Sequence, residues 1–532
     1  MVGRYRPNGR RSVVMGCGGV VATSQPLAAR AGLQMLLDGG TAADAVVAAA
    51  AALNVVEPMS TGLGGDAFAL VYRAADRTVY ALNASGRAPR AATLEHYLSL
   101  GHRRMPRQGI LAVTVPGTAA GWADLLGRFG RFGLDRVLAP AIHYAEAGFP
   151  VTEVIAGQWR DGEDYLRQDE EARRVYLPDG RAPRPGERFA CPDLAASLRR
   201  VAEEGPDAFY RGEIARAIVA TSRALGGLLA EEDLAGHTST WVEPIHTTYR
   251  GLRVHECPPN GQGITALMAL NILSGYDLGA LDFASPEAFH LKMEAIKLAM
   301  TDAARYVADP ALAQVPVAGL LDPAYAAERR ALISPDRAIA APAPGLPRGG
   351  DTVYITAADA EGNAVSFINS ISASFGSGVV ARGTGILLQN RGAGFSLDPE
   401  HPNCLAPGKR SFHTIIPCLV TEGDRLAICY GVMGGLMQAQ GHTQVLTNIV
   451  DHGMNPQEAL AAPRFRFDAE NRFGIEGGLS RSTYAALRDR GHALTIGSRG
   501  QFGGGQVIAV DRESGAYLAG SDPRKDGQAV AF

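Results

Sequence analysis

The sequence predicts a soluble chain of mixed helix and strand, on three observations. Hydrophobic residues fill 46% and charged residues 20% of the 532 positions, the balance of a globular protein with a large core. The apolar pattern switches along the chain between helical spacing and strand-like runs. The 64 glycines and 31 prolines are scattered as turn punctuation and do not gather into low-complexity tracts.

Taken in order, Leu27 to Leu37 is amphipathic and reads as a helix. The run Ala45 to Val56 is interrupted by Asn54 and is too short to span a bilayer. It reads as a buried helix, entered through Thr41-Ala42-Ala43-Asp44, which fits a capping box. Val71 to Leu82 is strand-like, and Pro286 to Ala304 is a long helical stretch. A Pro/Gly-rich tail, Ala341 to Gly350, leads into Thr352-Val353-Tyr354-Ile355-Thr356, β-branched and aromatic residues that favour a strand. Asp359 to Asn363 supplies turn chemistry, and Ala364 to Asn369 is the returning strand.

Composition excludes several classes. A net charge of −3 argues against a nucleic-acid or anionic-membrane partner. The six cysteines contain no C-x-x-C pair, so they read as buried free thiols in a reducing compartment. The 12 histidines show no H-E-x-x-H arrangement, and no metal is expected. Gly62-Leu63-Gly64-Gly65 and Gly503-Gly504-Gly505 match no phosphate loop and read as sites of close backbone packing. Met1 to Arg11 is basic, but no apolar signal core follows, so the expected location is cytoplasmic.

The stretch Gly349 to Gly378, with Gly385-Ile386-Leu387-Leu388-Gln389-Asn390 and Asp522-Pro523-Arg524, resembles the γ-glutamyltransferase family of N-terminal nucleophile hydrolases. The likeness runs from Gly19 to about Asp526. It implies an α+β fold, a four-layer αββα sandwich without a cofactor. It also implies a precursor that cuts itself between Asp351 and Thr352, giving a large subunit 1–351 and a small subunit 352–532 as interleaved parts of one heterodimer. The chemistry is intelligible on its own terms: a threonine hydroxyl needs an adjacent base, and a freed N-terminal amine, with a reference pKa of roughly 7.7–8.0, lies a few bonds away.

The same resemblance assigns the remaining site residues. Ser370 contacts the threonine, where the family usually has another threonine, and Ser372 falls where many members carry an asparagine facing substrate. Arg87, in Asn83-Ala84-Ser85-Gly86-Arg87, matches the arginine that holds a substrate carboxylate, a task suited to a planar fork of donors. Gly434 and Gly435 match the pair whose N–H groups form the oxyanion hole. Two departures bear on substrate. The aspartate that meets an α-ammonium in transpeptidases is Gly394 here, with Arg391 nearby, and a pair of serines becomes His413-Thr414, with His413 a candidate donor to substrate. A γ-glutamyl ammonium would face a cation without a compensating carboxylate, whereas a substrate carboxylate is expected to be anchored by Arg87 together with Arg391. The pattern resembles oxamate amidohydrolases and cephalosporin acylase-like members, and implies hydrolysis of an amide of a small carboxylate-bearing acyl group. A γ-glutamyl transferase or glutathione hydrolase, and a processed but catalytically silent binding protein, are the alternatives.

Overall fold

Central strands of the first sheet are buried on both faces, which sets the architecture. In strand Val353–Asp359, Val353, Ile355 and Ala357 point to one apolar cluster while Tyr354 and Ala358 point to another. Strand Asp66–Arg73 alternates the same way, with Ala67, Ala69 and Val71 on one side and Phe68, Leu70 and Tyr72 on the other. Because side chains alternate along a strand, two covered faces mean a layer on each side.

The computed structural model describes residues 11–340 and 352–532 and shows those layers. The first seven-stranded sheet runs Gln528–Ala531, Gly19–Thr23, Val353–Asp359, Ala364–Ser370, Asp66–Arg73, Thr78–Asn83, Thr240–Val242. The second runs Val14–Gly16, Tyr517–Ser521, Gly504–Val510, Arg425–Met433, Cys418–Glu422, Leu252–Glu256, Ile245–Tyr249. Phe68, Tyr354 and Ile368 from the first meet Leu419, Cys429 and Ile508 from the second in a core between the sheets. Helices Pro26–Leu37 and Ala42–Val56 cover the first sheet, and Gly263–Leu273, Pro286–Tyr306 and Met437–Val450 cover the second. This is the four-layer αββα sandwich. Each sheet mixes strands from before residue 340 with strands from after residue 352, so neither segment builds a core alone.

Local sequence explains the elements nearest the site. Thr41 caps helix Ala42–Val56, and the Thr41–Asp44 capping box is complete, as its four-residue signature requires. The hairpin Val353–Asp359 and Ala364–Ser370 pairs Val353 with Asn369, so Thr352 enters opposite Ser370. The single strand expected over Val71 to Leu82 is instead a hairpin: the chain turns at Asp76 and Arg77, the latter at φ 54°, and Asp76 accepts the Thr78 N–H. Not every cysteine is buried, since Cys17 is exposed and Cys404 half-buried; all six are free thiols. Asp351 and the tail Ala341 to Gly350 lie outside the described residues. Among the described residues, no helix is long and apolar enough to cross a membrane.

Candidate active site around Thr352

Thr352 is 1% exposed and stands at the mouth of its strand. Its Oγ1 lies 3.2 Å from Ser370 Oγ and accepts from Gln438 Nε2 at 3.3 Å. The hairpin register delivers Ser370, and helix Met437–Val450 delivers Gln438. Just past Ser370 the backbone turns at Ser372, whose φ of 81° is rare for a residue with a Cβ. That turn aims the Ser372 N–H at Ser370 Oγ, 2.9 Å away.

Arg391 opens the short turn Arg391–Gly394 and is buried. Its Nη2 donates to Ser370 Oγ at 3.1 Å and its Nη1 to Thr414 Oγ1 at 2.9 Å. Burial pulls the guanidinium down to about 10, and the nearby Asp66 carboxylate opposes that drop. It remains a cation at neutral pH.

Asp66 is the member of this cluster that motif reading missed. Its carboxylate accepts from Gly86 N–H at 2.9 Å, Gly117 N–H at 3.2 Å, Gln389 Nε2 at 3.2 Å and His413 Nε2 at 3.0 Å. Burial pushes the carboxyl up, but the His413 hydrogen bond and the neighbouring positive charge more than offset it and hold Asp66 below its usual value. Burial, reinforced by Arg391, pushes His413 down to about 4, so its ring is neutral and donates Nε2–H to Asp66. Its Nδ1 accepts the Ile415 N–H at 3.3 Å. Both ring nitrogens are therefore engaged within the protein, and His413 reaches substrate only through Asp66.

Arg87 sits in the loop after strand Thr78–Asn83. The loop is clamped by main chain: Val115 N–H donates to Arg87 O at 3.0 Å, and Ala88 N–H to Lys409 O at 2.8 Å. The guanidinium itself is half-buried and has no hydrogen-bond or ion-pair partner among the described residues. It borders a cavity of about 70 Å³ shared with Arg90, Asp233 and His237. A larger cleft, about 720 Å³, is lined by Arg107, Gln158, Asp161, Ala373, Ser374 and Asn390 among others.

Gly434 and Gly435 link strand Arg425–Met433 to helix Met437–Val450 at φ 121° and 60°, where a Cβ would be strained. A Cβ on Gly434 would stand 3.0 Å from Gly503 Cα. Gln262 Nε2 holds Gly435 O at 2.9 Å and Thr414 O at 2.6 Å, tying this turn to the Arg391 partner. No turn, cap or side-chain acceptor takes either glycine N–H among the described residues. The glycine-rich pieces read as packing sites behave so: a Cβ on Gly64 would lie 2.1 Å from Leu387 O, and one on Gly503 2.1 Å from Met433 O. Asp522 and Arg524 brace the neighbouring strand in a buried ion network with Arg464 and Glu476.

The sequence matches the family described as Gamma-glutamyltranspeptidase over residues 28–532. The chain belongs to the gamma-glutamyltranspeptidase family. Within it, the chain is 40% identical to a glutathione hydrolase-like YwrD proenzyme of Bacillus subtilis, over 98% of this chain and 99% of that protein. It is 37% identical to an oxamate amidohydrolase proenzyme of Klebsiella pneumoniae, over 97% and 98%. The crystal structure of a cephalosporin acylase from Bacillus halodurans superposes with a TM-score of 0.94 at 45% identity, covering 99% of this chain and 98% of that one. These members of the gamma-glutamyltranspeptidase family are hydrolases and acylases, several made as proenzymes.

Two buried triads have ligand-type atoms within 4.8 Å of one another: Glu256, Cys418 and His442, and His290, Glu294 and His492. Each is joined internally. His442 Nδ1 lies 2.8 Å from Glu256 Oε1 and His290 Nδ1 2.8 Å from His492 Nε2, while Glu294 also receives the Lys297 ammonium at 2.6 Å. Spacing rules miss the first because its members come from three separate elements; in the second, His290 and Glu294 share helix Pro286–Tyr306 and only His492 comes from a distant segment.

Proposed function

We propose that this chain cuts itself between Asp351 and Thr352 and then hydrolyses an amide of a small, carboxylate-bearing acyl group that lacks an α-amine, oxamate being the first candidate. The observation that carries the reading is the pairing of Thr352 Oγ1 with Ser370 beside a buried arginine. Asp66, the nearby acid, already accepts four donors. Thr352 attacks the amide carbonyl while its own amine takes the hydroxyl proton and passes it to the leaving nitrogen. The Gly434 and Gly435 N–H groups hold the tetrahedral oxyanion. Water then attacks the acyl-enzyme and releases the acid. Arg87 holds the substrate carboxylate and Arg391 supplies positive potential behind Ser370; Ser372 and Thr414 line the acyl side, and His413 steadies Asp66.

The glutathione hydrolase-like relative keeps a second reading in play, γ-glutamyl hydrolysis or transfer. One panel separates them: product release from oxamate, glutaryl amides, glutathione and γ-glutamyl anilides, with wild type and Thr352→Ala side by side. The expected outcome is two chains for wild type, the smaller beginning Thr-Val-Tyr-Ile, with turnover of an amine-free amide. Thr352→Ala stays one inactive chain. Faster turnover of γ-glutamyl anilides than of any amine-free amide transfers the assignment to the second reading.

A further inference from the structure

The nucleophile's second hydrogen bond comes from a residue that no motif reading singles out. Gln438 lies in helix Met437–Val450, immediately after the glycine turn, and is fully buried. Its Oε1 accepts the Ile416 N–H at 3.1 Å. A backbone N–H can only donate, so the atom facing Ile416 is the amide oxygen, and the NH₂ group must face Thr352 Oγ1. The orientation is therefore dictated by the main chain of the neighbouring segment.

The helix carrying Gln438 is held against rotation. On another face, Gln440 accepts the Phe467 N–H at 2.7 Å and donates to Phe467 O at 3.2 Å. One turn on, Gln444 does the same to Phe465, at 3.0 Å for both bonds. Two side-chain amides thus pair alternate residues of strand Phe465–Ala469, much as a neighbouring strand would. His442, one turn beyond Gln438, is fixed by Glu256. Unpairing these buried groups would be costly, so Gln438 is delivered to Thr352 by a rigid rail.

We infer that Gln438 is a further catalytic residue, whose amide N–H donates to Thr352 Oγ1 and stabilises the negative charge that develops there as the proton leaves. The inference rests on the reading of Thr352 as nucleophile. The donor serves both reactions of that oxygen, the cut at Asp351–Thr352 and substrate turnover. A donor aimed at a developing oxyanion is worth roughly 10²–10³ in rate. At 3.3 Å this one is expected to be worth about 10- to 100-fold.

The test uses full-length Gln438→Met and Gln438→Glu, checked for folding by thermal melting. In Gln438→Glu, one carboxylate oxygen can still accept the Ile416 N–H, but the other presents an acceptor to Thr352. Expected are a 10- to 100-fold fall in kcat for both, KM within about threefold, slower appearance of the small chain, and for Gln438→Glu an acidic limb of the pH profile moved upward by the carboxylate beside the amine. Wild-type kcat in Gln438→Glu with impairment only in Gln438→Met reduces the residue to an anchor for Ile416 and overturns the inference, as do unchanged rates in both. Failure of the nucleophile reading shows separately, as a wild type that is uncut, or as an active Thr352→Ala.

Discussion

Two arginines approach this site and are held in opposite ways. Arg391 is 3% exposed; its terminal nitrogens donate to Ser370 and Thr414, and Asp66 balances its charge. Arg87 is half-buried, its backbone is clamped by Val115 and Lys409, and its guanidinium is without a partner among the described residues. A substrate carboxylate needs donors not already committed to the scaffold. In the proposed reading, that contrast gives the grip on substrate to Arg87, and leaves Arg391 to fix Ser370 and set the potential at Thr352.

The largest expected effect breaks the buried half. Arg391→Met removes one partner of a desolvated ionic cluster and leaves Asp66 uncompensated, a change that typically costs about 3–5 kcal/mol. The variant is expected to melt well below wild type and to accumulate as an uncut chain. Arg391→Lys keeps the charge but offers a point donor that cannot span Ser370 and Thr414 together, so it should recover stability before it recovers processing. Equal melting and cutting in wild type and Arg391→Met would remove Arg391 from the supporting framework.

Next comes the open half. Arg87→Ala deletes a half-buried side chain without partners among the described residues, so its melting temperature should stay near that of wild type and its cut should proceed normally. Its kcat/KM should fall at least about tenfold, since losing one partner of a desolvated charge pair typically costs roughly 2–5 kcal/mol. Full kinetics on the best amide, with the stability measured in parallel, separates the two arginines. A destabilised but kinetically normal Arg87→Ala would reverse the contrast.

How much of this was legible follows the range of each interaction. The hairpin after Thr352 was readable because β-branched residues and a turn lie within one short window. The Thr41 cap was readable because its signature spans four residues. Arg391 and the Gly434–Gly435 pair were readable as motif positions, but not what they touch. Asp66 was invisible: its partner His413 stands 347 positions away, and an aspartate after a glycine run reads as a turn. Gln438 and Gln440 carried one usable signal, uncharged polar residues repeated through an otherwise buried helix. Such residues must be hydrogen-bonded inside, and one of their partners is Thr352. The strand expected over Val71 to Leu82 failed because the turn at Asp76 lacks the glycine or proline that usually marks one.

The smallest expected effect concerns Gly394, where a charge argument and a shape argument diverge. Sequence comparison suggests that a carboxylate at this position would admit an α-ammonium. The structure leaves it little room: a Cβ on Gly394 would lie 2.9 Å from Phe412 O and 3.4 Å from Ser411 Oγ. Ser411 Oγ in turn donates to Arg391 O at 3.0 Å, so displacing it disturbs the Arg391 turn. Gly394→Ala isolates that cost, and overpacking of this kind typically destabilises by about 1–3 kcal/mol. Expected are a melting temperature a few degrees lower and activity within about fivefold of wild type. Gly394→Asp adds a carboxylate to the same strain, and combined with Arg391→Gln, which carries the stability cost expected of Arg391→Met, it tests charge in the fraction that folds and cuts itself. If shape governs, the double variant does not gain γ-glutamyl hydrolysis beyond what Gly394→Ala shows. Measurable turnover of γ-glutamyl anilides by the double variant, absent from Gly394→Ala and from Arg391→Gln alone, would make charge the determinant. It would also return Arg391 to the substrate-facing role that the comparison with Arg87 takes from it.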